Sequence, residues 1–258
     1  MHFGPPHRAE AAAGVLSLVA ARRPDLVVIS GDLTQRAKPR QFQEARAFVD
    51  ALGAPCLVVP GNHDVPLFRV FERALAPYQA YRRHFASDLE PVFRGEGLLV
   101  AGVNTAYNWT LKNGLVRLRR LAEIDTLMRS AAERALKVVV VHHPLVRLPG
   151  FPDEPPAGNS REAPELLAGA GVELVLGGHL HQGFAGRSEQ FHAASGVVLA
   201  YAGTATSSRG RVGERGQCSC NWIEWDAETL TVVRLRWDAK GLRFVDQELS
   251  RFPRQSRA

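Results

Sequence analysis

Leu26-Val27-Val28-Ile29-Ser30-Gly31-Asp32 decides the fold. Its apolar run is too short for a helix, is bounded by Pro24-Asp25 before and Gly31-Asp32 after, and is β-branched at its centre, so it reads as a buried strand. Working outward, residues 7–23 are Ala/Leu-rich and helical, residues 39–52 are helical again, and Cys56-Leu57-Val58-Val59 is a second strand. The alternation continues with helical spacing over 67–85, a strand at 98–103, a helix over 118–135, a strand at 138–141, a short helix at 163–168 and a strand at 172–176. Alternating strands and helices predict an α/β fold. Beyond Gln182 the helices stop, and short strands at 197–201, 221–225, 230–237 and 242–246 follow one another across tight turns, which predicts antiparallel pairing. The expected architecture is a layered α/β sandwich: two mixed β-sheets packed face to face with helices outside. One domain is expected over 1–258, its strands from about 196 belonging to the same sandwich. Residues 148–159 hold four prolines and two glycines and read as a surface loop, too short for a domain linker.

Composition limits the function classes. With 45% hydrophobic and 22% charged residues, and no long apolar run, the chain is neither disordered nor membrane-spanning. The net charge of +6 comes from 32 basic residues of which only four are lysine, an excess that favours anionic partners without choosing one. Three cysteines, Cys56, Cys218 and Cys220, make no disulfide framework, and with Pro5-Pro6 in place of a leader-like apolar run the expected setting is the reducing cytoplasm.

Four strands end in a potential metal ligand: Ser30-Gly31-Asp32, Pro60-Gly61-Asn62-His63-Asp64, His142-His143-Pro144 and Gly177-Gly178-His179-Leu180-His181. In open α/β sheets ligands gather at the carboxyl ends of the strands, so the four clusters are expected to converge. Six of the nine histidines, at 2, 63, 142, 143, 179 and 181, fall in these clusters or at the start of the chain. A carboxylate, an amide oxygen and several imidazoles without a thiolate suit Mn, Fe, Zn or Co rather than a structural zinc. Glycines before Asp32, Asn62 and His179 let the ligand-bearing backbone turn without a Cβ clash.

In their order and spacing, these motifs resemble the calcineurin-like metallophosphoesterases, and within them the bacterial cyclic-nucleotide phosphodiesterase and glycerophosphodiesterase branch. The likeness runs from His2 to about Ser208. It implies a metal-dependent phosphoesterase that hydrolyses a small phosphodiester with hydroxide activated between two ions (Mn, Fe or Zn). Asp32 would bridge the ions, with Asn62, His142 and His179 completing one shell and His2 and His181 the other. His63 is then the candidate catalytic acid or phosphate contact, and Asp64 a cap of the following turn. His143 is expected to ligate less readily than His142, because neighbours at a strand end point to opposite faces. The chain departs from the family at its first motif, Asp-x-His, of which only His2 is present in Met1-His2-Phe3-Gly4. The expectation is that the strand carrying the Asp lies upstream of this start, and that the second ion binds weakly to the chain as written. Two other readings remain: a nuclease or phosphomonoesterase on the same scaffold, and a metal-depleted scaffold that binds a partner through aromatics near Tyr107 and Trp109. Nucleic acid is not favoured, because the basic clusters Arg117/Arg119/Arg120 and Arg209/Arg211/Arg215 lack interleaved aromatics.

Overall fold

The β-branched runs become strands and the stretches between them helices in a computed structural model that describes residues 1–148, 150–190 and 196–254. In chain order the elements are α1 (Ala9–Arg22), β1 (Val27–Ile29), α2 (Pro39–Ala51), β2 (Cys56–Val58), α3 (Val70–Leu75), α4 (Gln79–His84), β3 (Val92–Gly95), β4 (Leu98–Gly102), α5 (Leu118–Arg129), β5 (Leu136–Val140), α6 (Ala163–Gly169), β6 (Leu174–Gly177), β7 (Phe184–Arg187), β8 (Val198–Tyr201), β9 (Ser219–Trp225), β10 (Thr229–Asp238) and β11 (Arg243–Pro253). The helix expected over 67–85 is two short ones, because Pro77 disfavours helical backbone at Ala76 and cannot donate a helical hydrogen bond.

A six-stranded sheet runs in the order β3-β4-β5-β6-β8-β7. Strands β4, β5, β6 and β8 are parallel, and the two edge strands are antiparallel to their neighbours. This corrects the expectation of antiparallel pairing throughout the part beyond Gln182: the hairpin partner β7 lies outside β8, which leaves β8 to run parallel beside β6. Both β3 and β7 escape sequence reading, since Val92-Phe93-Arg94-Gly95 and Phe184-Ala185-Gly186-Arg187 carry charge and glycine rather than a β-branched run.

The facing layer comes in two parts, the parallel pair β1–β2 and the antiparallel meander β11-β10-β9. Alternate residues of the large sheet, among them Val100, Val138 and Val198, pack against Leu57 of β2, Val59 just after it, and Leu230 and Val232 of β10. The opposite face of the large sheet buries Val139 and Val175 under Ile124 and Met128 of α5 and Leu167 of α6. Helices α1 and α2 cover β1 on the other side through Val19, Phe42 and Phe48. The result is the layered α/β sandwich, helix–sheet–sheet–helix. Between β1 and β9 lies a largely apolar cavity of about 530 Å³, walled by Val28, Val100, Val138 and Trp225, which reaches Asp32 and His142 at one end. Residues 148–159 do not simply skirt the surface: Leu148, Phe151 and Ala157 are buried in the core on the helix side, although Pro149 lies outside the described residues. Among the described residues no helix is long and apolar enough to cross a membrane.

Candidate metal centre

The carboxyl ends of β1, β2, β5 and β6 open onto one side of the molecule, and the exits of β1, β2 and β6 turn through a glycine. A Cβ on Gly61 would stand 2.3 Å from the Asp32 amide nitrogen and 2.3 Å from its Oδ1, and one on Gly31, whose φ is +92°, would stand 2.6 Å from His142 Nδ1. Only glycine lets these exits approach so closely. Asp64 ties two of them together, its carboxylate accepting from the amides of Gly61 (2.9 Å), Leu33 (3.1 Å) and Thr34 (2.8 Å). It therefore closes the turn that precedes it, where a cap of the following turn was expected, and also holds the neighbouring loop. The start of the chain docks onto that loop: the amides of His2 and Phe3 donate to the carbonyls of Asp32 (2.7 Å) and Leu33 (2.8 Å), placing His2 at the site.

All seven expected residues gather here. Asn62 Oδ1 stands 3.1 Å from His142 Nε2 and 3.2 Å from His179 Nδ1, while Asp32 Oδ1 is 3.3 Å from His142 Nε2. On the other side Asp32 Oδ2 is 3.5 Å from His2 Nε2 and 3.7 Å from His181 Nε2, and those two nitrogens are 3.0 Å apart. His63 stands at the rim in the same cluster as His2 and Asp32, its amide donating to Asp32 Oδ1 at 3.0 Å and its Nδ1–H to the Gln35 carbonyl at 2.9 Å. Four of these residues have left-handed backbone: His2 (φ 61°), Asp32 (54°), His179 (66°) and His181 (57°). Such conformations cost about 1 kcal/mol or more each and persist where surrounding structure enforces them.

The hydrogens reveal what the cluster lacks. His142 Nδ1 faces the Ser30 carbonyl at 2.7 Å, which can only accept, so the hydrogen sits on Nδ1 and Nε2 turns a lone pair towards Asp32 Oδ1 and Asn62 Oδ1. Three acceptors face one another with no donor among the three, the only donor to the group among the described residues being the His63 amide on Asp32 Oδ1. Asp32 Oδ2, His2 Nδ1 and His181 Nδ1 are buried without a hydrogen-bond partner. The unpartnered Asp32 Oδ2 and the facing lone pairs of Asn62 and His142 call for a cation, and the set of carboxylate, amide oxygen and imidazoles fits a divalent metal. Electrostatics agree. Burial pushes His2 well below the ordinary imidazole value and His181 down to about 4, so both offer lone pairs at neutral pH. Burial alone would raise the Asp32 carboxyl, but His142, His2, His63 and His181 together hold it well below the usual carboxylate range.

His143 departs from its expected direction. Its ring does not turn away: the centroid lies 4.7 Å from that of His142 and 4.5 Å from that of His179, because β5 ends at Val140 and strand alternation no longer applies. It is nevertheless committed elsewhere, Nε2–H donating to the Lys112 carbonyl (3.0 Å) and Nδ1 accepting from Thr105 Oγ1 (2.8 Å), which leaves no lone pair for a metal. Glu154 is a residue that sequence reading missed. It is buried, 3.4 Å from His179 Nε2, and its carboxyl is pulled to about 2 chiefly by His179, with Lys112 adding to the effect. Nothing in a Pro-rich stretch marks it in advance.

A model of the calcineurin-like phosphoesterases matches residues 1–183. The chain belongs to that family. Among curated relatives, the chain is 29% identical over 177 residues to a probable cyclic nucleotide phosphodiesterase of Synechococcus, covering 67% of this chain and 64% of that one. It is 28% identical over 159 residues to the 3',5'-cyclic adenosine monophosphate phosphodiesterase CpdA of Escherichia coli K12, covering 61% and 54%. The chain thus spans between half and two thirds of the length of these relatives. The fold is also that of purple acid phosphatase PPD1 from yellow lupin, with a TM-score of 0.73 over 94% of this chain and 49% of the other at 12% identity. The basic cluster at the start of α5 is taken up by carboxylates: Arg117 and Arg120 pair with Glu90, and Arg119 and Arg120 with Glu123.

Proposed function

We propose that the chain is a metal-dependent phosphodiesterase acting on a small diester, a cyclic nucleotide or a glycerophosphodiester, at the strand ends around Asp32. The observation that carries this reading is the facing of three acceptors with no donor among them, Asp32 Oδ1, Asn62 Oδ1 and His142 Nε2, in a chain of this family. Asp32, Asn62, His142 and His179 would hold one ion, and His2, Asp32 and His181 a second. Mn, Fe or Zn fits both sets. When bound, such ions supply Lewis-acid polarisation of phosphoryl oxygens and lower the pKa of water. The second set has fewer ligands, which makes its ion the weaker one.

The chain's own groups do the rest. His63 donates its Nδ1–H to Gln35, so its Nε2 is the nitrogen free to take or give a proton at the leaving oxygen. Arg209, half-buried and bonded to Gln35 Oε1 at 2.8 Å, sets a positive charge beside Asp32 where a phosphate would lie. The relatives named for cyclic nucleotide hydrolysis support the substrate class. The test is a hydrolysis screen of the Mn²⁺-loaded protein against cyclic AMP, a glycerophosphodiester, an aryl phosphodiester, an aryl phosphomonoester and single-stranded DNA. Turnover of small diesters above the monoester and DNA is expected. Preference for the monoester or DNA would replace the reading.

A further inference from the structure

We propose that Glu154 is a positioning residue of the metal centre: it orients the His179 ring and thereby couples metal occupancy to the anchoring of the 150–159 loop beside the site. The inference rests on the metal-centre reading above and assigns a role to a residue outside the ligand set. Glu154 is only 8% exposed. Its Oε1 accepts from two cations, Lys112 Nζ at 2.9 Å and Arg211 Nη1 at 2.6 Å, which offset the cost of burying the carboxylate. Its Oε2 has no hydrogen-bond partner and lies 3.4 Å from His179 Nε2.

The other nitrogen of His179, Nδ1, is the one beside Asn62 Oδ1. An imidazole offers a lone pair at Nδ1 only when its hydrogen sits on Nε2, and a carboxylate at Nε2 fixes that tautomer, fixes the ring and makes Nδ1 more basic. Glu154 Oε2 stands in ion-pair range of that nitrogen, 3.4 Å away, and its charge favours the hydrogen on Nε2. It also joins loops that are remote in sequence, since the Arg211 amide donates to the His181 carbonyl at 3.0 Å. The far end of the 150–159 loop is already anchored by backbone, Ala157 to Pro144 and Gly158 to Gly114, both at 2.8 Å. The near end is held by Glu154 and by Arg147 donating to the Pro152 carbonyl. Metal at His179 Nδ1 strengthens the Glu154 contact, and the contact in turn strengthens metal binding, because coupling between two sites is reciprocal.

The experiment compares wild type, Glu154→Gln, Glu154→Asp and, as a charge control on the same loop, the exposed Asp153→Asn. Each is stripped with EDTA and titrated with Mn²⁺ by calorimetry, and amide exchange over 151–159 is followed with and without the metal. For Glu154→Gln, Mn²⁺ affinity should fall about 10- to 100-fold, Glu154→Asp should lie between, and Asp153→Asn should match wild type. Mn²⁺ should slow exchange at 151–159 in wild type and not in Glu154→Gln. Thermal unfolding of the metal-free forms identifies a variant that fails to fold, in which case Glu154→Asp and the exchange of wild type carry the comparison. A folded Glu154 variant with wild-type affinity, or wild-type exchange at 151–159 indifferent to Mn²⁺, would overturn the proposal while leaving the metal centre standing. Wild type that takes up no Mn²⁺ would overturn both.

Discussion

At the scale of single residues, the proposed function divides the site between atoms that would hold a cation and one that would move a proton. His63 shares a cluster with His2 and Asp32, yet its Nδ1–H is spent on Gln35 and its ring stands at the rim. His63→Ala should therefore lower turnover about 10²- to 10⁴-fold, most on diesters with poor leaving groups, with metal content by elemental analysis nearly unchanged. Loss of both ions in that variant would move His63 into the ligand set. Asp32→Ala should do the reverse, losing metal first and activity with it. The residues at the strand ends were legible in the sequence because a strand ending in Gly-Asp, Gly-Asn-His or Gly-Gly-His has one direction in which to aim them. Glu154 and the hydrogen-bond commitments of His143 were not, since both depend on loops from elsewhere in the chain, Lys112 and Arg211 for one, Thr105 and Lys112 for the other.

Strands and turns are coupled here by one carboxylate. Asp64 satisfies three buried backbone amides belonging to two strand exits. Asp64→Ala leaves those donors unpaired at about 1–3 kcal/mol for each that water cannot reach, so a drop in unfolding free energy of several kcal/mol and weaker Mn²⁺ binding are expected in urea titrations and calorimetry. A variant as stable as wild type would mean that water replaces the carboxylate. At this scale the sequence reads well where periodicity is clean, as in α2 and β5, and poorly at β3 and β7, whose Arg94, Gly95, Gly186 and Arg187 belong to sheet edges where apolar alternation is not required. The split of the facing layer into β1–β2 and β9–β11 was equally out of reach, because which strands pair is set by contacts between distant segments.

For the molecule as a whole, burying this many imidazoles ties stability to pH. Burial holds His2 and His143 well below the ordinary value and His181 at about 4, whereas in the unfolded chain all three titrate near 6.5. The unfolded state thus takes up protons first as pH falls. The metal-free fold should keep its full stability above about pH 6.5 and lose it progressively towards pH 4, His181 alone accounting for up to about 3 kcal/mol. Urea midpoints of EDTA-treated protein at pH 7.5 and 5 measure this, and equal midpoints would mean that these rings are solvated. The central claim, that strand ends far apart in sequence build one cation site around Asp32, is tested most directly by anomalous scattering from crystals grown with Mn²⁺. The account predicts a strong peak among Asp32, Asn62, His142 and His179 and a weaker one among His2, Asp32 and His181. An anomalous map with no peak at Asp32, or with its peak on His143 instead, would contradict it.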